Sequence, residues 1–538
     1  MPTPSPDAAQ CPDPFPAQRA LLAAILVCYV LSRTLGVVWF VPHNDEVIYT
    51  QEAQLIAQDW SANRYLTVDG RQNGDYRPPL LYWLGASSLS WFDDPLRALR
   101  VWSVVGGLLN VYFFQRLVAR AWGGLAAVLW AGLITASALF LYVDSVGLNE
   151  GLLAGLGAAF LCLAYEALAR PGVWVGAGAV VSLAAMLTVK DAAVLWLIPA
   201  GLLPLLVQCE PQAGRGAAPG GGRRLRAAAA ARLGIIVVLA FLLHACLVPP
   251  RFDSVRSASP QAHMVRSFPE LATFPWGDWL HGLAFYQRRV LALELPYLTI
   301  PLLLAVLATV CGLWRHDRRR FPTYVILCLM YLGFVLPLIV AARVLHVRYF
   351  VAGMASLYGV LAITVARPLE RLPPRWQALA AATLLAIVFG LRAATTGPVL
   401  LRWGQTDLGM SETPYGPSNG LGIPALLAQL EALEPGLVVL DDHWGLPGTA
   451  VQVYRHRYPQ LRLQLVDRRV GHRELAGRWP AAGDRLYLLF DARTTGQRPW
   501  YDAVMADPNL DQRRLLFPKR YRDRELPDSR LVLVFLAP

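Results

Sequence analysis

The stretch ALLAAILVCYVLSRTLGVVWFVPHNDEVIYTQEAQL, residues 20–55, sets the fold class. Residues 20–41 carry a single charge, Arg33, in an otherwise apolar run. About 20 such residues are what a helix needs to cross the hydrocarbon of a bilayer. The run is too long for the core of a signal peptide, and no small-residue cleavage site follows it, so it reads as an uncleaved anchor. Directly after it, Asn44, Asp45 and Glu46 open a segment of mixed polarity, which places two carboxylates at one face of the membrane.

The same length rule, carried outward, finds further apolar spans near 101–119, 122–142, 148–168, 173–189, 191–207, 233–250, 294–313, 323–342, 349–366 and 377–393. With the first span these make eleven, in a range of eleven to thirteen, and predict a polytopic α-helical membrane protein. Composition agrees: of 538 residues 55% are hydrophobic and only 16% charged, against roughly 25% charged in soluble chains. That excludes an ordinary cytosolic enzyme and a disordered chain. Five of the seven cysteines fall inside apolar stretches and no CxxC pair occurs, so neither a disulfide framework nor a cysteine zinc site is expected.

The chain has 49 Lys and Arg against 37 Asp and Glu, a net charge of +12. The arginines cluster in short loops, at 208–232, in WRHDRRRF (314–321) and at 367–375, where they orient a membrane protein; no nucleic-acid partner is expected. All three loops share one side of an eleven-span chain. Taking that side as cytoplasmic puts residues 1–19 inside, a Gly-rich linker at 213–222 inside, and segments 42–100, 251–293 and 394–538 outside. The last contains strand-like runs GLVVLDD, QLRLQLVD, RLYLLFDA and RLVLVFLAP and a helical stretch at 423–436, so it predicts a small soluble α/β domain acting as a cap or docking module.

A helix starting at Asn44 brings Asp45, Ile48, Tyr49 and Glu52 to one face. Asn44 is also a good N-cap, and acids in a first turn are favoured by the helix dipole, so Asp45 and Glu46 have a purely structural reading beside a catalytic one. Arg77 precedes Pro78 and Pro79 at the start of a further helix, LLYWL. A cation at a helix N-terminus is disfavoured unless an anion lies between, which suits either a phosphate site or an arginine reaching lipid headgroups. Lys190, in LTVKDA at the outer end of the fifth span, fits a phosphate ligand or a lysine that satisfies the last helix carbonyls. Asp144, at the outer end of the third span, either orients an acceptor, pairs with a basic residue or is a plain interfacial aspartate.

The string RVLHVRYF (343–350) sets Arg343, His346, Arg348 and Tyr349 on the outer side, against the orientation rule, and anion binding is the economical reason. Arg33 inside the first span needs a partner the sequence does not name. The aromatic residues Phe268, Phe274, Trp276, Trp279, Phe285 and Tyr286 fit a loop at the membrane surface beside the lone histidines His263 and His281. Those histidines lack the spaced partners of a metal site; no cofactor is expected, and a divalent cation stays open.

Taken in order, the DExxY of Asp45, Glu46 and Tyr49, the Arg77-Pro-Pro-Leu80 string, the outer Asp144, the TxK of Thr188 and Lys190, and the RYF of Arg348 to Phe350 resemble glycosyltransferase family 39 of the GT-C superfamily, over roughly residues 20–395. That group includes bacterial aminoarabinose transferases of lipid A and protein O-mannosyltransferases, which use polyprenyl-phosphate-linked sugars. The resemblance implies a GT-C catalytic domain at 20–393 in the inner membrane, with its active site and the 394–538 domain facing the periplasm. It further implies Asp45 at the catalytic centre and donor-phosphate contacts from Arg77 and Lys190. Arginine stands at 77 where many aminoarabinose transferases carry lysine, a mild change, and Asp191 stands where glycine commonly follows the lysine.

The expected chemistry is transfer of the sugar from the lipid phosphate to an envelope lipid, glycan or protein acceptor. Arg77, Lys190 and Arg348 would stabilise the departing phosphate, and Asp45 would take the acceptor proton in one inverting displacement. Glu46 and Tyr49 would orient that base or bind sugar. Tyr76, Tyr82, Asp144, His346 and Tyr349 complete the expected sugar and acceptor contacts. Two other classes fit less of the pattern: a transporter with Arg33, Asp144 and Lys190 along a path through the membrane, and a non-catalytic scaffold recruiting a partner through 394–538.

Overall fold

The computed structural model describes residues 16–40, 42–65, 78–209, 221–249, 266–295, 299–401, 423–441, 448–466, 485–491, 512–521 and 524–536. Among these, eight helical stretches, some of them built from more than one element, are long and apolar enough to cross a membrane: Ala17–Val38, Pro95–Ala121, Asn149–Ala169, Asp191–Gln208, Arg226–Leu247, Phe321–Ala341, Val347–Leu369 and Pro374–Ala394. Three shorter apolar helices, Gly124–Ala136, Val173–Val189 and Ile300–His316, fall on the other apolar segments. The chain is a multi-pass membrane protein. Val27, Leu31, Leu35, Val238, Leu242, Leu303, Leu304 and Leu307 are exposed on helix after helix, an arrangement that water would penalise and lipid tails satisfy.

Two apolar segments are not single helices. In 122–142 the helix ends at Ala136; Ser137 is extended, and its hydroxyl accepts from the Phe140 N–H to start a separate helix, Ala138–Val143. Segment 191–207 divides into a 3-10 turn, Asp191–Trp196, and two short helices, Leu197–Ala200 and Leu203–Gln208. Pro199 and Pro204 lack the N–H that a continuous helix would use there.

The helices Asn149–Ala169 and Val347–Leu369 are the most enclosed; those at Ala17–Val38, Arg226–Leu247 and Pro374–Ala394 are peripheral. Pro95–Ala121 meets Asn149–Ala169 nearly backbone to backbone, because a Cβ at Gly106 would lie 2.5 Å from the Gly151 carbonyl oxygen.

The first helix, α1 (Pro16–Trp39), leads within a few residues to α2 (Asn44–Gln58), which carries Asp45. The C-terminal part rests on α2. It holds a five-stranded sheet of β1 (Gly436–Asp441), β2 (Leu461–Val466), β3 (Arg485–Asp491), β4 (Gln512–Tyr521) and β5 (Arg524–Leu536), in the order β2-β1-β3-β5-β4. β1 is parallel to β2 and β3, and β5 is antiparallel to β3 and β4. β4 was not expected from sequence; it lies at the sheet edge with a register break at Pro518 and Arg520, and an edge is where a strand tolerates proline.

Leu426 and Leu430 of the helix Ile423–Glu431 pack with Val438, Leu440, Val451 and Tyr487, and Val47 of α2 and Leu96 join that same core. Polar ties reinforce the seam. Gln51 donates to the Gln452 side chain at 2.6 Å, Gln54 to the Val453 carbonyl at 2.9 Å, and the Tyr454 hydroxyl to Asp94 at 2.8 Å.

Candidate active site

The elbow between α1 and α2 determines where Asp45 points. The N-cap of α2 is His43, not Asn44: its Nδ1 accepts from the Asp45 N–H at 3.1 Å, and the Glu46 carboxylate accepts from the His43 N–H at 3.2 Å. Glu46 is fully buried. It receives Arg100 Nε at 2.6 Å, Arg100 Nη2 at 2.8 Å and the Gly147 N–H at 2.7 Å. Arg100 Nη1 in turn donates to the carbonyls of Val37 and Phe40 at the end of α1. One bidentate pair thus satisfies orphan carbonyls of one helix and anchors the first turn of the next. Of the two readings of Glu46 this is the structural one, a cap that orients the first turn of α2; Glu46 faces Arg100 and is not among the residues lining the cavity described below.

Asp45, one residue earlier, faces the other way. Arg348 Nη2 donates to its Oδ2 at 2.5 Å, and Arg348 Nε lies 3.3 Å from Oε1 of Glu150. Lys190 Nζ donates to the same Glu150 oxygen at 2.6 Å and sits 4.3 Å from the centre of the Tyr349 ring. Charges therefore alternate along the chain Asp45, Arg348, Glu150, Lys190, drawn from four separate elements. Lys190 is indeed the residue that caps the helix Val173–Val189, but its side chain is spent on Glu150, not on helix carbonyls. With Nδ1 of His43 accepting, a neutral ring carries its proton on Nε2, so the 3.4 Å approach of Arg348 to that nitrogen is a contact between donors.

These groups line one face of a cavity of about 620 Å³, a size typical of ligand sites. Its polar lining includes Asp45, Tyr49, Glu150, Lys190, Asp191, His346, Arg348 and Tyr349. The remainder is apolar, with Leu153, Val194, Leu195, Trp196, Phe334, Leu338, Val351 and Ala352. The cavity therefore matches a ligand with a charged head and a hydrocarbon tail.

Glu150 was missed in the sequence. The available signal was an acid two residues into an apolar span, where an ionisable group is expensive without partners.

The other expected residues divide. Tyr49, His346 and Tyr349 line the cavity. Tyr82 does not; it is buried behind Tyr49, ring centroids 5.3 Å apart. Asp144 is likewise not among the lining residues. It accepts from the Tyr29 hydroxyl at 2.7 Å and lies 3.8 Å from Arg33 Nε, which supplies the partner that Arg33 required. Arg33 also donates to the carbonyls of Thr135 and Ile134, so the helix break at Ser137 frees acceptors for a buried cation. Among the described residues neither Arg33 nor Asp144 lines the cavity that holds Lys190.

Arg343 is not free for an anion either: it pairs with Glu270 at 2.5 Å and holds that carboxyl down at about 2. Tyr76, Arg77 and His263 lie outside the described residues, although Pro78, next to Arg77, lines the cavity. Among the described residues no group of three or more His, Cys, Asp or Glu could hold a metal ion.

No protein-family model and no curated protein matches the sequence. Solved structures do. The apo form of ArnT from Cupriavidus metallidurans, an aminoarabinose transferase, superposes with a TM-score of 0.54 at 14% identity, over 97% of this chain and 98% of that one. The chain has the ArnT fold. The same enzyme bound to undecaprenyl phosphate gives a TM-score of 0.54 at 13% identity, covering 97% of this chain and 99% of ArnT. The oligosaccharyltransferase of Archaeoglobus fulgidus gives 0.45 at 12% identity, over 95% of this chain and 76% of its own. ArnT is a GT-C glycosyltransferase, so the architecture implied by the ordered motifs is the one observed.

Proposed function

We propose that the chain is an inverting glycosyltransferase, moving a sugar from a polyprenyl-phosphate donor to a lipid, glycan or protein acceptor at the outer face of the bacterial inner membrane. The observation that carries this reading is the cavity: an apolar lining that suits an isoprenoid chain, together with a charged one built on Asp45, Arg348, Glu150 and Lys190.

The roles follow from the charges. Glu150 is shared between two cations, which makes it a poor base and a poor nucleophile. Asp45 has one cation, Arg348, and a donor phosphate arriving there competes for that guanidinium and releases the carboxylate. Asp45 is then free to take the acceptor proton while Arg348 and Lys190 stabilise charge on the leaving phosphate. With Asp45 acting as base and Glu150 held between two cations, the reading is a single displacement that inverts the anomeric centre. The described lining holds three carboxylates, Asp45, Glu150 and Asp191, against two cations, Lys190 and Arg348. A phosphate therefore needs further positive charge, and Arg77, beside the lining residue Pro78, is where the sequence offers it.

The donor site is tested by Lys190→Ala and Arg77→Ala. Charge-assisted contacts contribute about 1.5–3 kcal/mol each, so affinity for a polyprenyl-phosphate sugar should fall about tenfold or more in each variant, and Arg77→Lys should keep part of it. Unchanged donor affinity in both alanine variants removes these residues from the site.

The topology that goes with this function has eleven spans, the N-terminus inside, and 394–538 as a soluble domain outside. Protease added to intact spheroplasts should clip the C-terminal domain. Protection of that domain, while a periplasmic control is digested, means that the orientation is wrong.

A further inference from the structure

The N-cap of α2 is a histidine, whereas capping favours asparagine, aspartate, serine and threonine. His43 therefore calls for a reason beyond the cap. Its mount is rigid: the His43 N–H donates to Glu46, whose carboxylate Arg100 holds, and only 8% of the residue is exposed. Tyr142 of the helix Ala138–Val143 packs against the ring, with 6.4 Å between centroids and 73° between planes.

The two ring nitrogens reach the two ends of Asp45. Nδ1 accepts from the Asp45 N–H at 3.1 Å, while Nε2 lies 3.4 Å from Nη1 of Arg348, the guanidinium that grips the Asp45 carboxylate. An asparagine would make the first contact and not the second, because its side chain ends where Nδ1 lies.

The charged and titratable groups set around the ring are the Asp45 and Glu46 carboxylates, the Arg348 guanidinium of the turn Val347–Phe350, and the Tyr142 phenol. Asp45 is engaged by Arg348 and Glu46 by Arg100, so both carboxylates already balance another cation. A proton on Nδ1 would also oppose the Asp45 N–H, donor against donor. The arrangement therefore selects the neutral ring with its proton on Nε2. Nε2–H and Arg348 Nη1 then meet as two donors, and such a contact weakens the hold of Arg348 on Asp45 from the side.

We infer that His43 is a positioning residue for the transfer: in its neutral form it fixes Asp45 through the backbone and crowds Arg348, so that the guanidinium passes from Asp45 to an arriving donor phosphate. The inference rests on the transferase reading. Asp45 and Arg348 line the cavity and His43 is not among the lining residues, so His43 acts through those two side chains. Protonation of the ring removes the Nδ1 acceptor and the anchor of the Asp45 N–H. Transfer should therefore fall as pH drops through the range in which an imidazole takes up its proton, above the range in which carboxylates do.

The deciding variant is His43→Asn, which keeps a good N-cap and removes Nε2. In the full chain its thermal midpoint should match wild type, while affinity for polyprenyl phosphate falls about three- to tenfold, the weight of one hydrogen-bonding contact. Transfer from a polyprenyl-phosphate sugar to envelope acceptors, followed against pH in membranes, should lose the acid limb of the imidazole range in this variant. Wild-type affinity and a wild-type pH profile in His43→Asn overturn the inference and leave His43 as a cap alone. Should the variant fail to accumulate, the wild-type profile decides, and the absence of that limb overturns the inference as well. Asp45→Asn separates the two readings. If it is inactive while His43→Asn behaves as wild type, the role of His43 falls and the transferase stands; if it transfers at the wild-type rate, the base assignment falls, and the role of His43 with it.

Discussion

Replacing Asp45 with asparagine should leave a folded, donor-binding protein that transfers sugar at least about 100-fold more slowly than wild type, the usual weight of general base catalysis. Asparagine keeps the shape and the contact distance but cannot take a proton. The fold should survive because Arg348 keeps Glu150, 3.3 Å from its Nε, so the buried guanidinium is not stranded. Transfer from a polyprenyl-phosphate sugar to envelope acceptors, measured in membranes with matched protein levels, checks this. A near wild-type rate would show that the Asp45 to Arg348 pair is only structural.

The second large effect concerns stability. Arg100→Ala strands the Glu46 carboxylate in a site with no exposure and leaves the Val37 and Phe40 carbonyls at the end of α1 without their donor. Breaking a buried pair by removing one partner costs about 3–5 kcal/mol. Arg100→Ala should therefore unfold at a markedly lower temperature in detergent or fail to accumulate. Glu46→Gln, which keeps the shape and can still accept from Gly147, should lose less. Equal thermal midpoints for wild type and Arg100→Ala contradict the assigned role of the elbow.

The contrast between Asp45 and Glu46 marks how far the sequence could be read. The apolar segments were visible because lipid-facing helices leave long uncharged runs, and Asp45 was visible because α2 begins where such a run ends. Telling the two neighbouring acids apart required knowing that Arg100, distant in sequence, enters beneath α2. Arg33 and Asp144 were likewise flagged singly, and their pairing depends on how α1 meets the segment after Ser137. Glu150 escaped because the one acid in LNEGLLAGL signals a buried charge without saying what pairs with it; its meaning comes from Lys190 and Arg348 converging on it. In the C-terminal part, β4 was hidden by the arginines and proline in QRRLLFPKRY, the residues that protect an edge strand from pairing further.

Native mass spectrometry of the purified chain tests whether the cavity beside Asp45 holds a lipid phosphate. Polyprenyl phosphate is titrated against the uncharged polyprenol of the same length, with wild type and Lys190→Ala compared. Wild type should bind the phosphate saturably and one to one and the polyprenol much more weakly, and Lys190→Ala should lose about tenfold in affinity for the phosphate. Equal binding of the two lipids by wild type, with no change in the variant, would contradict it.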